Sequence, residues 1–359
     1  MKTLVLDDGI PGNTNQSIGI AESLQINFDV LNIKFRGPTY RLPGRKGSIK
    51  VAPKIIGFLL CLKAYKLADF VYRLLSVTDV NEQKYDTVIS AGSFLAPINL
   101  LISKKFGAKS VCIMTPEGVP LKNFDILFVP LHDFIRYPQI KKLKNVVPTI
   151  GAPNRITSHL LEKSREKLME KIKIPDNTIK IGLIIGGNDQ NYLIDVDWAK
   201  ELLKTLQKLK ETDFSYLLTV SRRTPQDVAG FLWNNSMKPN FVYREFPGVK
   251  PGQHYFGILS VCDILFVTED SITMISETCS TGKPVIVLGV KRKKNRRTVF
   301  DTTISKLVEG GYCVYVQKED LEKIPELLKT MLRKGFFPVL NESEKCAEKI
   351  AELLNKTKF

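Results

Sequence analysis

Between Asp263 and Val290 the chain reads DILFVTEDSITMISETCSTGKPVIVLGV, and no other stretch restricts the fold as tightly. An apolar run, Ile264 to Val267, leads straight into Thr268-Glu269-Asp270-Ser271. A helix-like segment follows and closes at Thr281-Gly282, and a second apolar run covers Pro284 to Val290. Strand, turn, helix and strand at this spacing predict a βαβ unit in a parallel sheet. Asp270 or Ser271 can cap the helix, which aims its first amides into the mouth of the sheet. Unpaired N–H groups and the helix dipole favour phosphate there. Glu277, two turns into the helix, can accept hydrogen bonds from ribose hydroxyls. An ordinary capped βαβ unit with no ligand has the same sequence, so the stretch alone leaves both readings open.

The rest of the chain repeats that grammar. Residues 2–8 (KTLVLDD) read as a buried strand, and a polar turn at Asp8-Gly9 and Gly12-Asn13-Thr14-Asn15-Gln16 precedes a helix. This is not the dinucleotide fingerprint, because no G-x-G is present. Further strands are expected at Phe28–Phe35, Asp86–Gly92, Lys109–Thr115 and Asp125–Leu131. Helical segments separate them, as in an open α/β sheet. VPTIGAPNRI, around Val147–Ile156, ends the first domain in a proline-flanked hinge, and Ser158–Lys173 is a charged helix. A second series starts at Lys180 with KIGLIIGG running into Gly186-Gly187-Asn188-Asp189. SYLLTVS then ends at Ser221-Arg222-Arg223-Thr224-Pro225, and NFVYREF precedes the opening unit. The loop Lys291 to Arg297 is placed beyond a strand end, beside the presumed cleft or simply on a solvated surface. Residues 319–357 read as two terminal helices. The domains are therefore drawn at 1–152, with 336–359 packing back on it, and at 153–335.

One segment departs from this pattern. Arg41, Arg45, Lys46, Lys50 and Lys54 precede a helix-like stretch reaching Ser76. It mixes Ile55, Ile56, Phe58, Leu59, Leu62, Phe70, Val71, Leu74 and Leu75 with Lys63, Lys66 and Arg73. Such a helix either lies in an anionic membrane interface or packs on the core with a basic outer face.

At 359 residues the chain is long enough for two domains, and 43% hydrophobic with 25% charged residues is a globular composition. Lys and Arg number 53 against 37 Asp and Glu, a net charge of +16. That surface favours phosphorylated ligands or anionic lipid. No zinc-finger, RNA-recognition or homeodomain signature is present, so no nucleic-acid partner is expected. The six cysteines lack paired metal-ligand spacing and read as buried cytosolic thiols. No apolar run reaches 18 residues and no secretory signal is read, so the expected location is cytoplasmic, peripheral on the inner face of the cytoplasmic membrane.

Six stretches resemble one family in order: DDGIPGNTNQSIGIAE, FDILFVPLHD, IGAPNRIT, LIIGGN, TVSRRTP and TEDSITMISETCSTGKPV. They are similar to the mitochondrial-fission ELM-like family, itself similar to the GT-B glycosyltransferases. The resemblance implies an α/β, GT-B-like chain of two Rossmann-like domains facing across a cleft. The second domain would hold the donor and the first the acceptor. Carried over by position, Gly186 and Gly187 let the backbone approach the nucleotide, and Ser221 and Arg222 contact the diphosphate. Ser271, Thr273 and Met274 offer amides or a hydroxyl to phosphate, with Asp270 at the same turn, and Glu277 holds the ribose. Arg222 and Arg223 suit an electrostatic clamp on a departing diphosphate.

Two positions depart from the family pattern, which places histidine where this chain has Asn13 and Asn154. Asparagine takes no proton at neutral pH, so an inverting transfer needs another base. Asp8, at the same strand end as Asn13, comes first, followed by Glu117 and the His132-Asp133 pair; turn or cap chemistry also explains each. Asp195-Val196-Asp197 resembles a D-x-D metal motif, but its position at a helix start reads as a cap, and no metal or cofactor is expected beyond a nucleotide sugar as substrate. His254 is expected to start a helix. The activity expected is a metal-independent transfer of sugar from a nucleotide-activated donor to a membrane lipid or envelope polysaccharide. A non-catalytic membrane adaptor and a nucleotide-sugar epimerase are the alternatives.

Overall fold

Strands of a parallel sheet covered on both faces must be apolar along their whole length. The central strands obey this: TVISA, ILFVT and VIVL are buried at every residue. The computed structural model describes residues 1–36, 39–41, 48–78, 80, 83–246, 254–294, 298–335 and 337–356. The chain divides into two units, Met1–Arg155 with Asn341–Phe359, and Ile156–Leu340.

The first unit runs β1 (Lys2–Asp7), α1 (Pro11–Ser23), β2 (Asn27–Asn32), the antiparallel pair β3 (Thr39–Arg41) and β4 (Ser48–Lys50), α2 (Val51–Cys61), α3 (Tyr65–Leu75), β5 (Thr87–Ala91), α4 (Ala96–Phe106), β6 (Lys109–Ile113), β7 (Ile126–Pro130), α5 (Asp133–Arg136) and β8 (Val146–Thr149). The second runs α6 (Ser158–Met169), β9 (Ile179–Ile185), β10 (Tyr192–Leu193), α7 (Val196–Leu206), β11 (Phe214–Val220), α8 (Gln226–Asn235), β12 (Phe241–Glu245), α9 (Tyr255–Val261), β13 (Ile264–Thr268), α10 (Ile272–Cys279), β14 (Val285–Leu288), β15 (Lys291–Arg292), α11 (Val299–Glu309), β16 (Val314–Val316) and α12 (Ile324–Lys334). The last helix, α13 (Glu342–Lys356), belongs to the first unit.

Each unit is built on a six-stranded parallel sheet, ordered β2-β1-β5-β6-β7-β8 and β12-β11-β9-β13-β14-β16. Side chains alternate along a strand, so neighbours on β1 face opposite layers. Leu4 and Leu6 join a core with Ile56, Tyr72 and Leu101, whereas Val5 joins one with Ile20, Cys346, Ile350 and Leu354. Helix α13 thus closes one face of the first sheet. It is tied at its start: Glu342 accepts from the Ile150 amide at 3.1 Å, and Ser343 Oγ accepts from the Asn154 amide at 2.7 Å.

The basic segment is not one helix. It divides into α2 and α3 at Leu62–Ala64, where Lys63 takes φ +59. Arg45 and Lys46, like Asn295, Arg296 and Arg297, lie outside the described residues. Lys291 and Arg292 are not loop but a short strand, antiparallel to β10. The charged helix after the hinge ends at Met169 rather than Lys173. Asp195 caps α7 by accepting from the Trp198 amide at 2.9 Å, and His254 is the N-cap residue of α9.

Candidate functional site

In the second sheet the chain leaves β9 for β11 and β12 on one side, then returns to β13 on the other. Ligands of open parallel sheets sit at the carboxyl ends of strands where the order reverses in this way. Gly186 and Gly187 follow β9, and Thr268 to Ser271 close β13. The two strand ends are bonded together. Thr268 Oγ1 accepts from the Gly186 amide at 2.7 Å and donates to Asp270 Oδ1 at 2.6 Å. Asp270 Oδ2 accepts from the Gly187 amide and from Arg223 Nη2, each at 2.9 Å. Thr224 Oγ1 donates to the Gly186 carbonyl at 2.5 Å, which draws in the turn after β11.

This arrangement gives the glycine pair an internal reason. A Cβ on Gly186 would lie 2.0 Å from Asp270 Oδ1, and one on Gly187 would lie 2.1 Å from the Arg223 carbonyl carbon. Burial raises the Asp270 carboxyl, opposed by the bonds from Thr268, Gly187 and Arg223. Of the two possible caps it is Ser271 that serves, accepting from the Met274 amide in a long 3.5 Å bond. Asp270 is turned inward, a brace rather than a cap. Thr273 and Met274 are half-buried in the first turn of α10.

The arginines part ways. Arg223, expected to clamp a diphosphate, is held by Asp270 and lies 4.0 Å from Asp189. Arg222 is exposed and makes no side-chain hydrogen bond or ion pair among the described residues. Ser221 Oγ accepts from the Arg223 amide at 3.1 Å, so its first task is to shape the turn. Farther along α10, Glu277 is only 5% exposed and accepts from the Tyr255 hydroxyl at 2.9 Å. Burial lifts its carboxyl to about 7, against the lowering bond from Tyr255. Hydrogen bonds therefore join Gly186, Gly187, Ser221 and Asp270 into one network with Ser271 next in chain, whereas Glu277 is fixed from α9.

Sequence reasoning missed a second network beside this one. Glu269, fully buried, accepts from the Val290 amide at 2.9 Å, Arg292 Nη2 at 2.8 Å and Tyr315 at 3.1 Å. Arg292 also pairs with Asp301 at 2.7 Å. The run of cations after Val290 concealed this member, which is spent on structure rather than offered to a ligand.

The first unit holds its carboxylates at strand ends too. Asp8 follows β1, accepting from the Ile10 amide and from Asn13 Nδ2, each at 2.9 Å. Its neighbour Asp7 is raised by burial but held below the usual carboxylate range by bonds from Thr14, Asn32 and Gly9. Glu117 follows β6; it accepts from the Tyr137 hydroxyl at 2.7 Å and lies 3.5 Å from Arg136. Asp133 opens α5 and accepts from Thr115 Oγ1 at 2.6 Å, with His132 Nε2 at 3.7 Å. Burial biases that imidazole toward its neutral form, although Asp133 opposes the shift. Glu117 and Asp133 share the Thr115–Tyr137 neighbourhood, while Asp8 is separated from them because β5 lies between β1 and β6. Asn154, at the other departure from the family pattern, is buried: Ser343 Oγ donates to its carbonyl at 2.6 Å, and its Nδ2 donates to the Ala152 carbonyl at 3.2 Å.

A family profile described as "Mitochondrial fission ELM1" matches residues 11–354. An uncharacterized protein of Rickettsia prowazekii (strain Madrid E) is 24% identical over 387 aligned positions, covering 99% of this chain and all of its own. The Arabidopsis thaliana mitochondrial fission protein ELM1 is 26% identical over 64% of this chain, which spans 54% of that protein. Among solved structures, the UDP-GlcNAc 2-epimerase of Methanocaldococcus jannaschii aligns with TM-score 0.58 at 14% identity, over 98% of this chain and 100% of its own. The Neisseria meningitidis UDP-GlcNAc 2-epimerase bound to UDP-GlcNAc aligns with TM-score 0.56 at 14% identity, over 99% and 100%. MurG of Acinetobacter baumannii aligns with TM-score 0.50 at 14% identity, over 99% of both chains. At such identities the likeness establishes the fold alone: α/β and GT-B-like, with two Rossmann-like domains.

Proposed function

This chain belongs to the mitochondrial fission ELM1 family, and from that premise we propose that it is a glycosyltransferase using a nucleotide-activated sugar. The acceptor is a membrane-associated lipid or an envelope polysaccharide. The observation that carries this reading is the strand-end network of the second unit, where the turns after β9 and β11 converge on Asp270 and the α10 N-terminus follows. Amides of a helix start and a guanidinium left unpaired among the described residues, that of Arg222, suit a diphosphate. UDP-GlcNAc, to which the Neisseria meningitidis epimerase is bound, carries such a diphosphate.

In the proposed step the acceptor hydroxyl oxygen attacks the anomeric carbon while the bond from that carbon to the phosphate oxygen breaks. The nucleoside diphosphate leaves with the electron pair, its growing charge met by Arg222 and the amides of α10. The hydroxyl proton passes to a carboxylate, for which Asp8, Glu117 and Asp133 are the candidates.

Membrane association is proposed for the α2–α3 pair. Ile55 and Phe58 on α2, Leu62 just past its end, and Leu67, Phe70 and Leu74 on α3 are exposed. Lys54, Lys63, Lys66 and Arg73 stand exposed among them. Apolar stripes with cations beside them match the headgroup boundary of an anionic bilayer. No helix among the described residues is long and apolar enough to cross a membrane.

A thermal-shift panel of nucleoside diphosphates and their sugars tests the donor assignment, since ligand bound only by the folded state raises Tm. One nucleoside diphosphate should raise it, and Arg222→Ala should increase the concentration needed for a given shift roughly tenfold, the loss of one charge-assisted bond of about 1.5 kcal/mol. A flat response to every nucleotide would remove the reading.

A further inference from the structure

An open cavity of about 560 Å³ lies within the first unit, between α2, the turn leading into α4, and the loop after β6. Its volume is in the range of pockets that hold small ligands, roughly 300–1,000 Å³. Phe58 and Cys61 from α2, Phe94 before α4, and Val119 after β6 supply apolar or weakly polar walls. Lys54 and Glu117 also line it. The walls are fixed to one another. A Cβ on Gly57 would lie 2.5 Å from the Gly118 carbonyl oxygen, so α2 approaches the β6 loop as closely as a glycine allows. Ser93 Oγ accepts from the Glu117 amide at 3.0 Å, which joins the other two walls.

We propose that this cavity binds the apolar chain of a phosphorylated single-chain lipid that enters from the bilayer. Two of its lining residues belong to the helix that carries an outward apolar stripe: Phe58, part of that stripe, and Lys54 beside it. A chain immersed in the interface reaches the cavity along α2 without crossing water, and the Lys54 ammonium meets its phosphate. The Glu117 carboxylate is partly offset by Arg136 at 3.5 Å. That carboxylate is an acceptor for a hydroxyl of the headgroup. The assignment of the bound lipid as sugar acceptor rests on the transferase reading, and its entry from the bilayer on the proposed membrane contact of α2 and α3; binding of the lipid in the cavity is tested apart from both.

Cys61 supplies the readout. It lines the cavity and is exposed, whereas the other five cysteines are buried. In the full-length native protein, a soluble aromatic disulfide reagent should label one thiol rapidly, and Cys61→Ser should abolish that phase. Farnesyl phosphate, kept below its aggregation threshold, should slow the labelling at least fivefold, and inorganic phosphate should not. Lys54→Glu, a change at an exposed position, should raise the farnesyl phosphate concentration needed by about tenfold. Unchanged labelling in saturating farnesyl phosphate overturns the proposal, as does equal protection by inorganic phosphate, which marks a surface anion site. Nucleoside diphosphate thermal shift is read on the same sample. A shift without Cys61 protection leaves the transferase reading standing and this site refuted. Protection without any shift keeps the lipid site and removes its acceptor role.

Discussion

At Glu277 a carboxyl group is buried with one hydroxyl for company, and its pKa is pushed from 4.5 to about 7. The folded state therefore binds a proton that the unfolded chain has already released between those two values. Stability from this group falls as pH rises from about 4.5 to about 7 and stays low above it. The offset corresponds to about 3–4 kcal/mol at most, at about 1.4 kcal/mol per unit. Glu277→Gln should then raise the unfolding free energy at pH 8 by about 1–3 kcal/mol, and by little at pH 4.5. Denaturant melts at the two pH values measure this, and an equal effect at both would refute the assignment. The place of Glu277 was legible because helical spacing counts two turns from Ser271. Tyr255 was not, since it reaches Glu277 from 22 residues away and belongs to no motif. Nor could local sequence separate Asp270 from Ser271 as caps. The Gly187 amide and Arg223 side chain settle that, and both arrive from other strands.

Elements were easier to read than their ends, because a buried parallel strand announces itself by composition while its boundary depends on pairing partners. The α2–α3 pair shows the limit. Nothing in Leu62-Lys63-Ala64 signals a break by glycine or proline, yet Lys63 turns left-handed and the apolar face is split into two stripes. Choosing between core and surface was also beyond the sequence, since Ile56, Leu60 and Tyr72 face the core while Phe58 and Phe70 remain 63% and 61% exposed. The proposed bilayer contact makes those two rings worth roughly 1–2 kcal/mol each, as partly immersed side chains. Phe58→Asp and Phe70→Asp should each lower binding to vesicles containing phosphatidylserine by about five- to thirtyfold. Both positions are exposed, so Tm should move little. Sedimentation with those vesicles checks the loss, and unaltered binding by the double variant would exclude this face.

On the scale of the whole molecule, the first unit is not a contiguous piece of chain. Its sheet is complete by Thr149, but one face is closed only when α13 returns after the entire second unit has been made. Cys346, Ile350 and Leu354 bury themselves against Val5, Ile20 and Phe128. Ile350 and Leu354 alone represent ~1.5–3 kcal/mol each, and the strands they cover would be wetted as well. A domain is stable by only about 5–15 kcal/mol, so losing α13 should consume most of what the first unit has. The hinge would suffer with it, because the Ile150 and Asn154 amides would lose Glu342 and Ser343. Deleting residues 341–359 should therefore abolish slow hydrogen exchange in β1, β5 and β6. Slow exchange should persist in β9, β11 and β13, whose core draws nothing from α13. A synthetic 341–359 peptide added in trans should restore protection to the first sheet. If the truncated chain keeps β1, β5 and β6 protected, α13 is an ornament on a sheet stable without it.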